Sequence, residues 1–372
     1  MIFDVAIIGG GLAGLALAID LRKRGHSILV IEKGSYPRQK VCGEYISMES
    51  YEYLNFLCPS LKDHPLPRIN TFFLSTLGEK EFTTPLDLGG FGISRYVLEE
   101  LLYKEALGLG VLFELKTKAQ EVKKESDTER YTIQTLSKSF TARIVCNATG
   151  RKSNFEAKES TSNQTATNYV GVKYHLRIAR DASQIEIHNF EGGYCGISNI
   201  EEGKSCLCYI VNANILKKAG NSIAELEKEY LYQNKNLKRI FSEAEFLLKE
   251  PVTISGIKFS IKKPIDNGVY FLGDSAGTIA PITGNGMSIC LRSAFKLSGF
   301  MDAYLSNELS KRELIKTYTH FWNAEFSARI RLSRYFQKLS EYPFLTKASI
   351  YTFKVFPTLA KAIIKLTHGK PF

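Results

Sequence analysis

The chain has no run of about eighteen uncharged apolar residues, so no segment is long enough to cross a bilayer as a helix. Met1 passes straight into an apolar strand with no basic leader, so no secretory signal is expected and the expected compartment is the cytoplasm. The cysteines number seven, an odd count at irregular spacing, which is not the framework of a disulfide-stapled domain. Cys206 and Cys208 stand two apart in a strand-like run, on one sheet face, and match no zinc spacing. Buried free thiols and no metal are therefore expected. No nucleic-acid-binding motif is present, and no nucleic-acid partner is expected.

What is present is an ordinary globular composition, 44% hydrophobic and 23% charged, over 372 residues. That length suits one large or two closely joined domains. The net charge of +11 is uneven: from Asn307 to Phe372 there are twelve Lys or Arg against four Asp or Glu. A basic tail of this kind serves nucleic acid, anionic lipid or a solvated face.

The organising stretch is the first. Val5 to Ile8 is a run of strand formers that leads into Gly9-x-Gly11-x-x-Gly14, after which Leu12, Leu15, Ala16 and Ile19 recur at helical spacing. The first glycine permits the turn, the second lets a pyrophosphate approach the backbone and the third lets the helix pack closely on the strand. Helix-start N–H groups favour an anion. Gly25 ends the helix, Ser27 to Ile31 forms a second strand, and Glu32 stands at its tip, eighteen residues after Gly14, where a carboxylate accepts bonds from a ribose diol. Gly9, Gly11, Leu12, Ala13, Gly14, Glu32 and Lys33 are thus candidates for an adenine dinucleotide site, against the plainer reading of a glycine turn that only packs a helix on a sheet. An acid followed by Lys33 disfavours a 2′-phosphate.

A Pro/Gly-punctuated loop follows, Tyr36-Pro37-Arg38-Gln39-Lys40-Val41-Cys42-Gly43-Glu44. The opening motif followed by Lys-x-Cys-Gly resembles the geranylgeranyl reductase branch of the flavoproteins that share the p-hydroxybenzoate hydroxylase fold. The resemblance implies that Arg38 lies along the cofactor and that Cys42 faces the flavin ring from the substrate cavity; as a residue alone, Cys42 equally packs under the loop. Pro59, Pro65, Pro67 and Pro85 break residues 50–90. Ser94 caps a predicted helix bearing Val97, Leu98, Leu101 and Leu102, and the resemblance carries Arg95 to the cofactor's phosphate and ribityl region.

From Val111 to Thr141 short alternating runs read as a β-meander, with Val122 counted among the cofactor-binding candidates. It ends in an apolar strand and Thr149-Gly150, where hydroxylases of the fold carry Asp-Gly; Gly150 is a further candidate. Four strand-like runs, Tyr169 to Ile178, Gln184 to Phe190, Tyr194 to Ile200 and Lys204 to Val211, form a second sheet with short connections. His188 and Tyr194 are candidates to face substrate from it, although a satisfied sheet histidine is the plainer reading of His188. Tyr194 to Ile197 falls where the reductases carry an aromatic-rich motif, but its tryptophan and Phe-Pro are missing. Residues 213–248 read as helical, and Val252 to Ile261 as a strand.

Val269 to Leu272 is a buried-type strand ending in Gly273-Asp274-Ser275-Ala276-Gly277, then Pro281-Ile282-Thr283-Gly284-Asn285-Gly286-Met287 and a helix. This resembles the ribityl-binding Gly-Asp motif of the same fold. Asp274 would bind ribityl hydroxyls, Pro281 and Gly284 would shape the loop, and backbone at Gly286 and Met287 would meet the ring's pyrimidine edge, where a helix N-terminus stabilises the charge of a reduced flavin. Flavin-dependent halogenases carry a paired-tryptophan motif, which a chain with Trp322 alone lacks. Past Met301 the chain reads as helical, ending in a basic amphipathic segment, Thr358 to Leu366, fit to lie on a membrane surface, lid an apolar cavity or pack on its own protein.

The expectation is an α/β protein: a Rossmann-type FAD-binding domain (1–70, 91–165 and 262–300), an inserted antiparallel β-sheet substrate domain (71–90 and 166–261) and a helical C-terminal region (301–372). The implied activity is that of an FAD-dependent reductase or dehydrogenase of a hydrophobic unsaturated small molecule, with NAD(P)H as electron donor. Monooxygenation of an aromatic or polyene substrate, and a flavin-binding redox partner without turnover, are the alternatives.

Overall fold

The computed structural model describes residues 1–125, 128–151 and 168–372, and the expected boundary at 165–166 lies outside them. The unbroken apolar runs Ile2–Ile8, Ile28–Ile31 and the second half of Ser139–Asn147 form the centre of a parallel sheet. Strands apolar on both faces must be covered on both faces, and helices Leu12–Lys23, Arg95–Gly108 and Gly286–Leu305 join them in one continuous core. Leu112–Glu114 extends the sheet on one side, parallel to Ile28–Ile31; on the other, Val269–Phe271 pairs parallel with Ser139–Asn147. The meander proper is therefore confined to Glu121–Lys124, Tyr131–Gln134 and Ser139–Asn147.

The first helix carries one buried acid, Asp20. Its carboxylate accepts from Tyr53 Oη at 2.8 Å, Ser298 Oγ at 2.7 Å and Arg24 Nε at 2.8 Å, which pins the N-terminal helix to Gly286–Leu305. Two motifs that are far apart in sequence are thereby held on one side of the sheet.

The second sheet contains Tyr169–Arg177, Gln184–Phe190, Gly193–Asn199 and Ser205–Asn212. It also takes up Arg68–Thr76 and Lys80–Gly92, two long strands in a stretch whose prolines suggested only broken structure. Pro85 is accommodated within the strand Lys80–Gly92, close to a register shift in its pairing with Arg68–Thr76. Among the described residues, the pairs in this sheet are antiparallel except Gln184–Phe190 with Arg68–Thr76, which is parallel. Alternation along Tyr169–Arg177 sends Val170, Val172, Tyr174 and Leu176 into a core shared with short helices, and Tyr169, Lys173 and His175 to the opposite face. Residues 213–248 are not one helix but Ala213–Lys218, Ile223–Glu229 and Lys235–Glu243, separated by Gly220 and Asn234. The strand at Val252 ends at Ile257.

The C-terminal region consists of Lys311–Leu339, capped by Ser310 and Glu313, followed by Pro343–Val355 and Pro357–Thr367. The last two helices pack on the second sheet through Ile350, Phe353 and Ala360 against Phe82. No helix among the described residues is long and apolar enough to cross a membrane.

Candidate cofactor and substrate site

One cavity of about 1340 Å³ runs between the two sheets and under the C-terminal helices. Gly9, Gly11, Leu12, Ala13, Glu32, Lys33, Arg38, Cys42, Arg95, Gly150, Asp274, Pro281, Gly284, Gly286, Met287 and Tyr194 all line it. Gly14, Val122 and His188 do not. Gly14 lies beneath the turn, where a Cβ would run into the carbonyl oxygen of Gly9. Val122 packs against the core, and Thr117, Lys118 and Ala119 form the wall in its place. His188 is fully buried, its Nδ1 paired with Ser75 Oγ at 2.8 Å and its Nε2 with Glu186 at 2.9 Å, so its polar atoms are spent inside the sheet.

Two helices present unprotected N-termini to this space. Leu12–Lys23 and Gly286–Leu305 begin at Gly11 and Asn285 without a side-chain capping bond. The helix at Arg95, by contrast, is capped by Ser94 Oγ, 3.1 Å from Val97 N. Uncapped first turns leave N–H donors free and concentrate positive potential, the ordinary provision for an anion. Asn285 turns its side chain away: Nδ2 donates to Thr367 O at 2.5 Å and ties the helix start to the C-terminal helices.

Charge at the nucleotide end is dense. Glu32 accepts from the N–H groups of Gly10 and Gly34 at 2.7 and 2.8 Å and meets Arg38 Nη1 at 2.5 Å. Burial opposes its ionisation, but Arg38 and the two backbone donors outweigh this and hold the carboxyl below its ordinary value. Glu99, fully buried, is shared by Arg95, Arg38 and Lys40. Burial works against that carboxylate too, yet the Arg95 and Lys40 charges bring it down to about 2. Lys40 is lowered by burial to about 8. Its Nζ hangs over the glycine turn, 3.2 Å from where a Cβ on Gly11 would stand. Lys40 and Glu99 were not singled out from the sequence; the Lys-x-Cys-Gly spacing was the available signal for the lysine.

In the middle of the cavity, burial raises the Asp274 carboxyl against the pull of Arg151, whose Nε is 4.0 Å away, and of Arg95. Arg95 lies within electrostatic reach of the Cys42 and Cys290 thiols, and its Nε is buried without a partner. Behind Cys42 stands a second cluster that the sequence did not reveal. Glu44 Oε1 accepts from Lys173 Nζ at 2.7 Å and from Arg95 N at 2.9 Å, and Oε2 pairs with His175 Nε2 at 2.6 Å. Burial penalises this carboxylate, but His175 and Lys173 hold it ionised below its ordinary value. Cys206 Sγ donates to Cys42 O at 3.2 Å. Glu44, His175 and Cys206 bring ligand-type atoms within 4.8 Å of one another. With an ammonium already on the carboxylate, the group is an ion-pair network.

Beyond Tyr194 the walls become apolar: Phe72, Leu74, Phe82, Ile185 and Ile187 from the sheet, and Leu345, Phe353, Leu359, Ile363 and Ile364 from the C-terminal helices.

A family model described as an FAD-binding domain matches residues 3–324. The chain belongs to this FAD-binding family. It is 24% identical over 364 residues to conditioned medium factor receptor 1 of Dictyostelium discoideum, covering 89% of this chain and 69% of that one. It is also 24% identical over 372 residues to digeranylgeranylglycerophospholipid reductase of Sulfolobus acidocaldarius, covering 91% and 78%. A solved flavin-dependent brominase superposes with a TM-score of 0.77 at 19% identity, covering 99% of this chain and 93% of that one. The flavoprotein fold is thus shared by proteins named for reduction and for halogenation. Trp322 of this family member is fully buried in the core and does not line the cavity.

FAD fits the residues present. The Gly11 cradle admits a close phosphate, two uncapped helix starts face the cavity, and the orphaned Arg95 Nε offers a donor on the same wall. If FAD occupies this cavity, Gly11, Lys40 and Arg95 would hold its phosphates, Glu32 the ribose diol, Asp274 the ribityl hydroxyls, and Gly286 and Met287 the ring edge.

Proposed function

We propose that this FAD-dependent oxidoreductase is a reductase or dehydrogenase of a hydrophobic unsaturated substrate of isoprenoid, lipid or polyketide type, recharged by NAD(P)H. The observation that carries the reading is the continuity of one cavity: charged and glycine-lined at the nucleotide end, apolar at the other, with Cys42, Asp274 and the Gly286 helix start between them. Bound flavin supplies two-electron hydride chemistry. The chain does the rest. The N–H groups of Gly286 and Met287 and their helix dipole would stabilise negative charge on a flavin held beside them. The Phe72, Leu74 and Ile363 walls exclude water and seat an extended apolar chain. Cys42, whose Sγ accepts from Glu44 N at 3.5 Å, is the candidate donor of the proton that would complete saturation of a double bond.

The test is anaerobic. Purified FAD-loaded protein is mixed with NADPH or NADH and then with unsaturated isoprenoid and lipid substrates, following flavin absorbance and product mass. Bleaching by the nicotinamide, recovery on substrate addition and a mass gain of two hydrogens are expected. Product that forms only with oxygen, and gains an oxygen atom, would replace this reading with monooxygenation; unchanged rate and product in Cys42→Ser would overturn the role of the thiol.

A further inference from the structure

Pro343–Val355 has two apolar faces. Leu345, Ser349, Thr352 and Phe353 face the cavity, whereas Phe344, Tyr351 and Val355 face out, with Lys347 and Lys354 among them. The outward residues are not marginally exposed: Tyr351 is 73% accessible, Phe344 68%, Leu366 63% and Phe356 58%. A helix that is apolar inward and again outward has buried only half of what it carries. An exposed aromatic and aliphatic patch of this kind marks an interaction surface.

Its charge selects the partner. From Arg331 to Phe372 there are eight Lys or Arg and one acid, Glu341. That acid is turned inward, Oε1 accepting from Tyr169 Oη at 2.5 Å and Oε2 from Asn212 Nδ2 at 2.9 Å. Arg331, Arg334, Lys338, Lys347, Lys354, Lys361 and Lys365 are all exposed. Two copies of such a face repel each other. Aromatic rings interleaved with long cationic side chains are instead suited to the headgroup region of a bilayer, rings at the acyl boundary and ammonium groups among anionic lipids.

We infer that the outer face of the helix pair Pro343–Val355 and Pro357–Thr367 is an interfacial anchor for an anionic lipid bilayer. Because the inner face of the same pair is the cavity's apolar wall, anchoring brings the apolar end of the cavity to the membrane surface. The anchor stands whichever bond is reduced inside.

The experiment is co-sedimentation of the FAD-loaded full chain with phosphatidylcholine vesicles, with and without phosphatidylglycerol, across a salt series. Binding to the anionic vesicles that weakens with salt is expected. Phe344→Ser with Phe356→Ser, and separately Lys354→Glu with Lys361→Glu, each weaken it by about tenfold or more while keeping far-ultraviolet circular dichroism and flavin absorbance. Should either pair fold poorly, hydrogen exchange of the wild type serves alone, with slowed exchange of residues 343–367 on vesicle addition expected. No binding to anionic vesicles, equal binding by both variant pairs, unchanged exchange in this segment, or concentration-dependent dimerisation that these substitutions abolish would overturn the anchor.

Discussion

Lys40 Nζ and Gly11 face each other across the phosphate turn, 3.2 Å from ammonium to the position of an absent Cβ. The pair separates two meanings of a glycine in the same motif. Gly11→Ala would meet only the movable end of a side chain, so the fold should persist with a melting temperature close to wild type, while FAD affinity falls by about tenfold or more. Gly14→Ala would drive a methyl into the Gly9 carbonyl and should destabilise the whole protein by about 1–3 kcal/mol. Thermal melts and FAD titrations of the two variants distinguish these outcomes.

The lysine also makes cofactor binding pH-dependent. Burial sets Lys40 at about 8 in the cofactor-free protein, and a phosphate alongside raises it, because an anion favours the charged form. Binding should therefore take up a proton above pH 8, and FAD affinity should fall as pH rises through that value. Calorimetric titrations in buffers of different ionisation enthalpy measure the uptake, and Lys40→Met should abolish it.

Glu44→Gln removes the anion between a fully buried lysine and a buried histidine. Leaving Lys173 without its carboxylate should cost about 3–5 kcal/mol, read as a lowered denaturant midpoint, and Lys173→Met in the same chain should recover part of it. The sign with pH follows from the lowered Glu44 carboxyl: its contribution is complete above the ordinary value of 4.5 and is lost as pH falls further. The wild type should lose stability in acid more steeply than Glu44→Gln.

These residues also show what could be read without coordinates. Gly9 to Gly14, Glu32 and the run from Gly273 to Met287 were legible because each is a contiguous strand, turn and helix whose chemistry is local. Lys173 and His175 were not, because on the strand Tyr169–Arg177 they alternate with Val172 and Tyr174 as a solvated face would. The face that looks wet is an interface, and only Glu44, 129 residues from Lys173, explains it. Val122 and His188 do not line the cavity, for smaller reasons. The wall falls at Thr117–Ala119, a few residues before the strand, and a polar strand residue said nothing of Ser75 waiting on the neighbouring strand. For the last helix, amphipathicity was visible in Thr358 to Leu366, but which face met the cavity was fixed by the sheet beneath, through Phe82 and Ala360.

The order of strands in the parallel sheet has a consequence for how the chain is made. Ile2–Ile8 lies between Ile28–Ile31 and Ser139–Asn147, and Val269–Phe271 lies beyond. The central strand meets one neighbour within about thirty residues and must wait for the other, Ser139–Asn147, until 130 further residues have been made. Such long-range closure is slow and leaves an apolar edge open meanwhile. The Gly9 turn is made long before Ala148 and Thr149, the residues it packs against, so its geometry is set only after that strand has joined the sheet.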